Sequence, residues 1–274
     1  MTCQMMPRMF RDLIEYVRNP YPWHLAPMGY VREVTMTGKR GASEAHAWDS
    51  HLASTRAAIE ACLPDPGAGR GGAAMIIGAG NLLDIPLEAL SASFEDVALV
   101  DIFHPRFNRA RIRGQGNIRL VQADVTGVSR AVFDAARRRR VATLPKPAPP
   151  NLSPRRVDLI VSVNLLSQLS VIPCAYLQAH CPGIPPARLD AFARELRQSH
   201  LDWLGQSAHR VCLVSDVTRI ERFTDGREIR KDIVAGVNLP APDLAWDWHI
   251  APLGGVYRDR DVTHRVQAHL DYRP

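Results

Sequence analysis

The chain has 274 residues, 46% hydrophobic and 23% charged, with a formal net charge of +6. That is enough for one large α/β domain, or a domain with a small extension, and the balance is that of a globular chain rather than a fibrous or disordered one. Mild basicity is compatible with acidic substrates or nucleic acid but does not require either.

Five cysteines (Cys3, Cys62, Cys174, Cys181 and Cys212) are irregularly spaced. An odd, irregular set is not a disulfide framework and fits a reducing compartment. No apolar run approaches the ~18 residues that span a bilayer. The opening MTCQMMPRMFRDLIEYVRNP lacks the apolar core of a signal peptide. The expected location is the cytoplasm, with no membrane partner.

Residues 1–40 mix short helical patterns with turns such as NPYPW at 19–23. SEAHAWDSHLASTRAAIEACL (43–63) reads as one amphipathic helix, with Ser43 placed to cap it. PDPGAGRGG (64–72) is a linker. It divides a mostly helical extension or lid, 1–70, from an α/β domain, 71–274.

Beyond the linker the pattern changes. AAMIIGAG (73–80) is a continuous apolar strand ending in glycines, and NLLDIPLEALSA (81–92) reads as a helix with Pro86 near its first turn. DVALVDIF (96–103) and NIRLVQADVT (117–126) are strands joined by a helical or irregular HPRFNRARIRGQ (104–115). Arg137–Arg140 and the proline-rich 144–154 read as a solvated helix end and a loop. VDLIVSVNLLSQL (157–169) is a fourth strand running into a helix, 185–206 a long helix, and 209–223 a fifth strand. LAWDWHIAPL (244–253) and THRVQAHLDYR (263–273) alternate apolar and polar residues around a turn and predict an antiparallel pair. Apolar strands alternating with helices imply a doubly wound, mostly parallel sheet with helices on both faces.

In such sheets ligands bind beyond the carboxyl ends of the strands. Gly78-Ala79-Gly80 sits at one such end, Asp101 at the next, and Asp124 follows the third. A carboxylate at Asp101 can accept hydrogen bonds from a ribose diol, a feature of adenosine-cofactor sites. The dinucleotide fingerprint wants a sixth-position glycine, where this chain has Leu83.

Taken together, MIIGAGNLLDIPL, ALVDI with Asp101, LVQADVT with Asp124, and VDLIVSVNLL resemble the class I S-adenosylmethionine-dependent methyltransferases over roughly residues 73–273. The resemblance implies a Rossmann-like, seven-stranded sheet with an antiparallel seventh strand, and S-adenosylmethionine as cofactor. By that resemblance Gly78 and Gly80, with Ala79 and Asn81 in the same loop, approach the cofactor's amino-acid part. Asp101 holds the ribose hydroxyls and Ile102 packs on adenine. Asp124 and Val125 flank the adenine edge, and Asn164 and Leu165 line the methyl-donor side. Two positions depart from the family's pattern. Ile76 replaces an acidic residue common before the first glycine, and Leu82 replaces a third small residue.

Each residue also has a plainer reading. The glycines can serve a tight turn alone, Asp101 can cap a helix or pair with Arg106 or Arg109, and Asp124 can start a turn. Asp84 is favoured in a first helical turn whether or not a ligand binds. His51 and Arg56 can reach a ligand or simply be satisfied within the fold. Cys174, His180 and Cys181 fall short of a zinc pattern, so no metal is expected. Trp246 and Trp248 fit sheet-edge packing better than base stacking. No residue declares itself a catalytic base. The expected function is methyl transfer to a small-molecule acceptor, with nucleic acid disfavoured but open. A nicotinamide-dependent oxidoreductase and a non-catalytic protein of the same fold are the alternatives. Oligomeric state is not legible.

Overall fold

Seven consecutive residues at Gly71–Ile77 form β1, whose last four are buried. Ile76 turns into one core while Met75 and Ile77 turn into another. The same alternation recurs at Val97–Val100 and Leu159–Ile160, so the central strands are apolar without interruption because both faces are covered. The computed structural model describes residues 21–65, 67, 69–139, 143–152 and 157–273. The expectations for 1–20, Cys3 and Arg140 lie outside these residues.

The elements run α1 (Leu25–Met28), α2 (Tyr30–Ser43), α3 (Ala45–Glu60), β1, α4 (Leu87–Ser93), β2 (Phe94–Asp101), α5 (Arg106–Arg111), β3 (Ile118–Gln122), α6 (Ser129–Arg137) and β4 (Val157–Val163). They continue with α7 (Val171–His180), α8 (Pro186–Ser207), β5 (Ala208–Phe223), β6 (Glu228–Asp232), β7 (Leu244–Ala251) and β8 (Arg260–His269). The sheet order is β3-β2-β1-β4-β5-β8-β7, with β6 paired to β5 off that path.

β1 to β5 are parallel, β8 is antiparallel to β5, and β7 is antiparallel to β8. Two reversals return β7 to the direction of the parallel strands. This is the Rossmann-like, doubly wound architecture expected from the sequence, with one correction: the sheet has eight strands rather than seven. All five residues of β6 are exposed, so EIRKD carries no alternation that would mark it as a strand.

Two local expectations also change. Ser43 does not cap the following helix; it ends α2, and its hydroxyl donates to the Arg40 carbonyl. The helix expected over 81–92 begins only at Leu87, with Pro86 just before it. Leu82 has φ +58° and is fully buried, a left-handed conformation that a helix cannot contain. The connection at 104–115, expected to be helical or irregular, contains a helix of six residues, Arg106–Arg111.

Helix α3 contributes Ala58 and Ile59 to the core on one face of the sheet, while Leu201 and Leu204 of α8 cover the other. Strand order reverses between β1 and β4, so their carboxyl ends open a crevice between them. Among the described residues no helix is long and apolar enough to cross a membrane.

Candidate functional site

A cavity of about 370 Å³ lies at this crevice, within the ordinary range for small-molecule sites. Gly78, Ala79, Gly80, Asn81, Asp101, Ile102, Asp124, Val125, Asn164 and Leu165 all line it. The structure therefore brings every expected cofactor-side residue to one space. Helix α2 adds Val34, Thr37 and Arg40, α3 adds Trp48, His51 and Leu52, and β7 adds Trp248 and Ile250.

The loop after β1 is held from several directions. Gly78 and Ala79 donate to the Val100 carbonyl at 3.0 and 3.2 Å. Gly78 has φ +82°, and a Cβ there would stand 2.6 Å from the Val163 carbonyl, so a side chain is excluded on both counts. No helix continues the backbone bonding after Gly80, and side chains take over its carbonyls. Asn108 donates to Gly80 at 2.8 Å, Arg111 to Asn81 at 3.2 Å, and Arg56 to Leu83 at 2.7 Å. Nothing in the local pattern marks Asn108 or Arg111 for this role, because their partners are 28 and 30 residues away.

Asp101 accepts hydrogen bonds from Gly80 N at 2.7 Å and Phe103 N at 3.3 Å. Burial raises its carboxyl above the ordinary range, against the opposing field of His104 and those backbone donors. It thus ties the glycine loop to the end of β2 rather than capping a helix. Asp124 is a turn residue as well as a cavity wall. One oxygen accepts from Thr126 N and Oγ1 at 2.9 and 2.6 Å, and the other accepts from Ser129 N at 2.7 Å, at the start of α6.

At the other end, Asn164 sits at φ +49° directly after β4. Its Nδ2 donates to Asp84 Oδ2 at 2.8 Å. Asp84 is therefore not in the first turn of a helix, as its spacing from the glycines suggested; it faces the end of β4 from an irregular loop. Desolvation pushes its carboxyl up, partly opposed by its own backbone N–H, Asn164 and Arg56.

His51 is buried, and burial lowers its pKa to about 3, so it is neutral at physiological pH. Trp246 Nε1–H donates to His51 Nδ1 at 3.1 Å. An indole can only donate, so Nδ1 is the bare nitrogen and Nε2 carries the proton. The 3.3 Å approach of Nε2 to Asn164 Nδ2 then brings two donors together and is not a hydrogen bond. If Asp84 is protonated, turning the amide presents Oδ1 to both the acid and His51 Nε2–H. The trio can therefore accommodate a proton on Asp84. His51 itself has no free lone pair with which to act as a base.

Trp248 stacks on His51 with ring centroids 4.0 Å apart and an interplanar angle of 6°, and Trp48 meets it edge-on at 5.0 Å. These aromatics join α3 to β7, supported by Trp48 Nε1 donating to the Ile250 carbonyl at 3.1 Å. The tryptophans at the sheet edge thus pack against a helix, and Trp248, with Trp48 of that helix, also lines the cavity. Four cavity-lining residues carry a buried polar atom with no partner: Arg40 Nε, Asn81 Oδ1, Asn164 Oδ1 and Trp248 Nε1. Concentrated in one cavity, such atoms mark a place where a polar ligand has groups to meet.

No protein-family model matches the chain, and no curated protein is detectably similar to it. Among solved structures it is similar to DhpI in complex with SAH (14% identity, 92% of this chain and 99% of that one, TM-score 0.38). It is also similar to DhpI with SAM and HEP (13% identity, 88% and 97%, TM-score 0.32). A third likeness is to the 23S rRNA methyltransferase ErmE (12% identity, 80% and 68%, TM-score 0.32).

Proposed function

We propose that this chain is an S-adenosylmethionine-dependent methyltransferase acting on a small molecule. The observation that carries the reading is the irregular loop directly after the glycines. A dinucleotide site sets its pyrophosphate on the N-terminus of the helix that continues from the glycine turn. Here the next helix starts at Leu87, seven residues beyond Gly80, and the amides of Gly78, Ala79, Gly80 and Leu82 already donate within the protein, to the Val100 carbonyl, the Asp101 carboxyl and the Ala79 carbonyl. That leaves no amide cradle for a pyrophosphate. The ribose-side carboxylate of Asp101, the glycine loop and the Asn164 end remain in a single cavity, as a nucleoside carrying an amino-acid arm requires.

The residues fit such a cofactor. Gly78 leaves the backbone bare, Asp101 presents a carboxylate at the β2 end, and Asn81 and Asn164 hold unpartnered amide oxygens. When bound, the cofactor supplies an activated methyl group; the protein's share is to orient donor and acceptor in line at about 3 Å. Asp101 and Ile102 would fix the nucleoside, and Gly78 and Asn164 the reactive end. The aromatic wall of Trp48 and Trp248, closed over by α2, would seat an acceptor and exclude water. Its restricted size favours a small molecule over an extended polymer.

Calorimetric titration with S-adenosylmethionine tests this directly, with NADH as the competing ligand. The expected result is micromolar affinity for the first, no affinity for the second, and at least a ~10-fold loss in Asp101→Ala. Binding of NADH alone would overturn the reading.

A further inference from the structure

Asp84 holds a position that the nucleoside contacts of Asp101 and Ile102 leave without a purpose. Asp84 lines the cavity, and its carboxyl accepts from Asn164 Nδ2 at 2.8 Å. Among the described residues it forms no ion pair. Arg56 acts on it only at a distance, since that guanidinium donates to the Leu83 carbonyl at 2.7 Å. The neighbouring imidazole is neutral, with Nδ1 engaged by Trp246. Trp248 stacks on that imidazole, Trp48 meets Trp248 edge-on, and both tryptophans line the same cavity as Asp84.

A desolvated carboxyl without an ion-pair contact is costly, and burial already pushes Asp84 toward its neutral form against the more distant field of Arg56. An anionic ligand group would add to that cost. A metal ion would need further ligands, and His51 has no lone pair to offer. A carboxyl group in the same cavity as two indole rings is instead the chemistry that holds an organic cation.

We propose that the Asp84 end of the cavity binds an organic ammonium group, with Asp84 as its counter-charge and Asn164 as the residue that positions it. Two sources share this chemistry. One is the ammonium of the cofactor's amino-acid arm, which rests on the proposed methyltransferase function. The other is an amine carried by the methyl acceptor.

Calorimetry on the full chain and on Asp84→Asn separates them. The probes are S-adenosylhomocysteine, 5′-methylthioadenosine (the adenosine thioether without an ammonium), phenethylamine and its neutral counterpart 2-phenylethanol. The amine and the alcohol are titrated in the presence of saturating 5′-methylthioadenosine. The expected result is a loss of ~10-fold or more for at least one ammonium ligand in the variant, with both neutral ligands changed less than ~2-fold. Loss confined to S-adenosylhomocysteine assigns the cofactor's own ammonium; loss for phenethylamine assigns an amine acceptor. Retained 5′-methylthioadenosine affinity shows that the variant is folded. Equal affinities of wild type and variant for both ammonium ligands, or parallel losses for charged and neutral ligands, would overturn the proposal. If neither adenosine ligand binds the wild type, the cofactor assignment fails, and phenethylamine against 2-phenylethanol on the unliganded protein still decides the ammonium site.

Discussion

Asn164 and Asp84 meet at 2.8 Å although 80 residues separate them in the chain. The contact joins the end of β4 to the loop after β1, across the point where strand order reverses. Asn164 does so from a left-handed backbone conformation, φ +49°. Two effects should therefore separate by substitution. Asn164→Ala loses the amide and retains the backbone penalty, whereas Asn164→Gly loses only the amide. Chemical denaturation should find both variants destabilised, and alanine worse than glycine by ~1 kcal/mol.

Asp84 is expected to cost stability in the unliganded protein. Its folded-state carboxyl titrates above the unfolded one, so the folded state holds its proton more tightly. The resulting contribution favours folding at low pH and is lost as pH rises through the folded-state value. Asp84→Asn removes that dependence. The variant should melt above wild type at pH 8, by ~2–4 °C for each kcal/mol recovered, and the gap should close as pH falls toward 4. A variant less stable than wild type at pH 8 would contradict the role assigned to desolvation.

Gly78→Ala should be among the most damaging single-methyl changes in the chain. The new Cβ would sit 2.6 Å from a backbone oxygen, at a residue with φ +82°. Backbone strain of ~1–2 kcal/mol and overpacking of ~1–3 kcal/mol both apply. Thermal melts should show the loss. S-Adenosylmethionine affinity should fall further than global stability accounts for, because the same atom intrudes on the loop.

Acid sensitivity should be traceable to buried histidines. His200 has its pKa pushed down to about 4 by burial, and its Nε2 meets Ser162 Oγ at 2.9 Å. The unfolded chain takes up that proton near pH 6.5 and the folded chain does not. Stability from this group is therefore complete above ~6.5 and declines as pH falls toward 4. His200→Gln keeps a group able to bond Ser162 and does not titrate. Between pH 7 and pH 5 it should lose less stability than wild type, by ~2 kcal/mol. Identical pH slopes would remove His200 from the account.

Asp124 offers a contrast with Asp101, since three of its hydrogen bonds go to its own turn and to the start of α6. Asp124→Ala should cost ~1–2 kcal/mol of stability, with Asp124→Asn recovering most of it. Ligand titration of the asparagine variant should show a smaller change than Asp101→Ala does.

The parallel core of the fold was legible from uninterrupted apolar runs such as MII at 75–77 and LIV at 159–161, because strands covered on both faces must be apolar at every position. The antiparallel pair was legible from alternation around Trp246 and Trp248. The strand-end placement of the glycine loop and of Asp101 was legible because strand ends show in the pattern, whereas Asn164 was reached only through the family resemblance. Strand β6 was not, since hydrogen bonding to an edge leaves no hydrophobic signature in EIRKD. The late start of α4 was hidden as well: Leu82 satisfies helix periodicity, yet in the fold it is buried with a left-handed backbone that no helix contains. The roles of Asp84, His51, Asn108 and Arg111 depended wholly on tertiary structure. Their partners lie between 28 and 195 residues away in sequence. Whether a carboxyl is paired, or which nitrogen of an imidazole is bare, is decided by the groups that folding brings within about 3 Å, and local sequence carries no record of that.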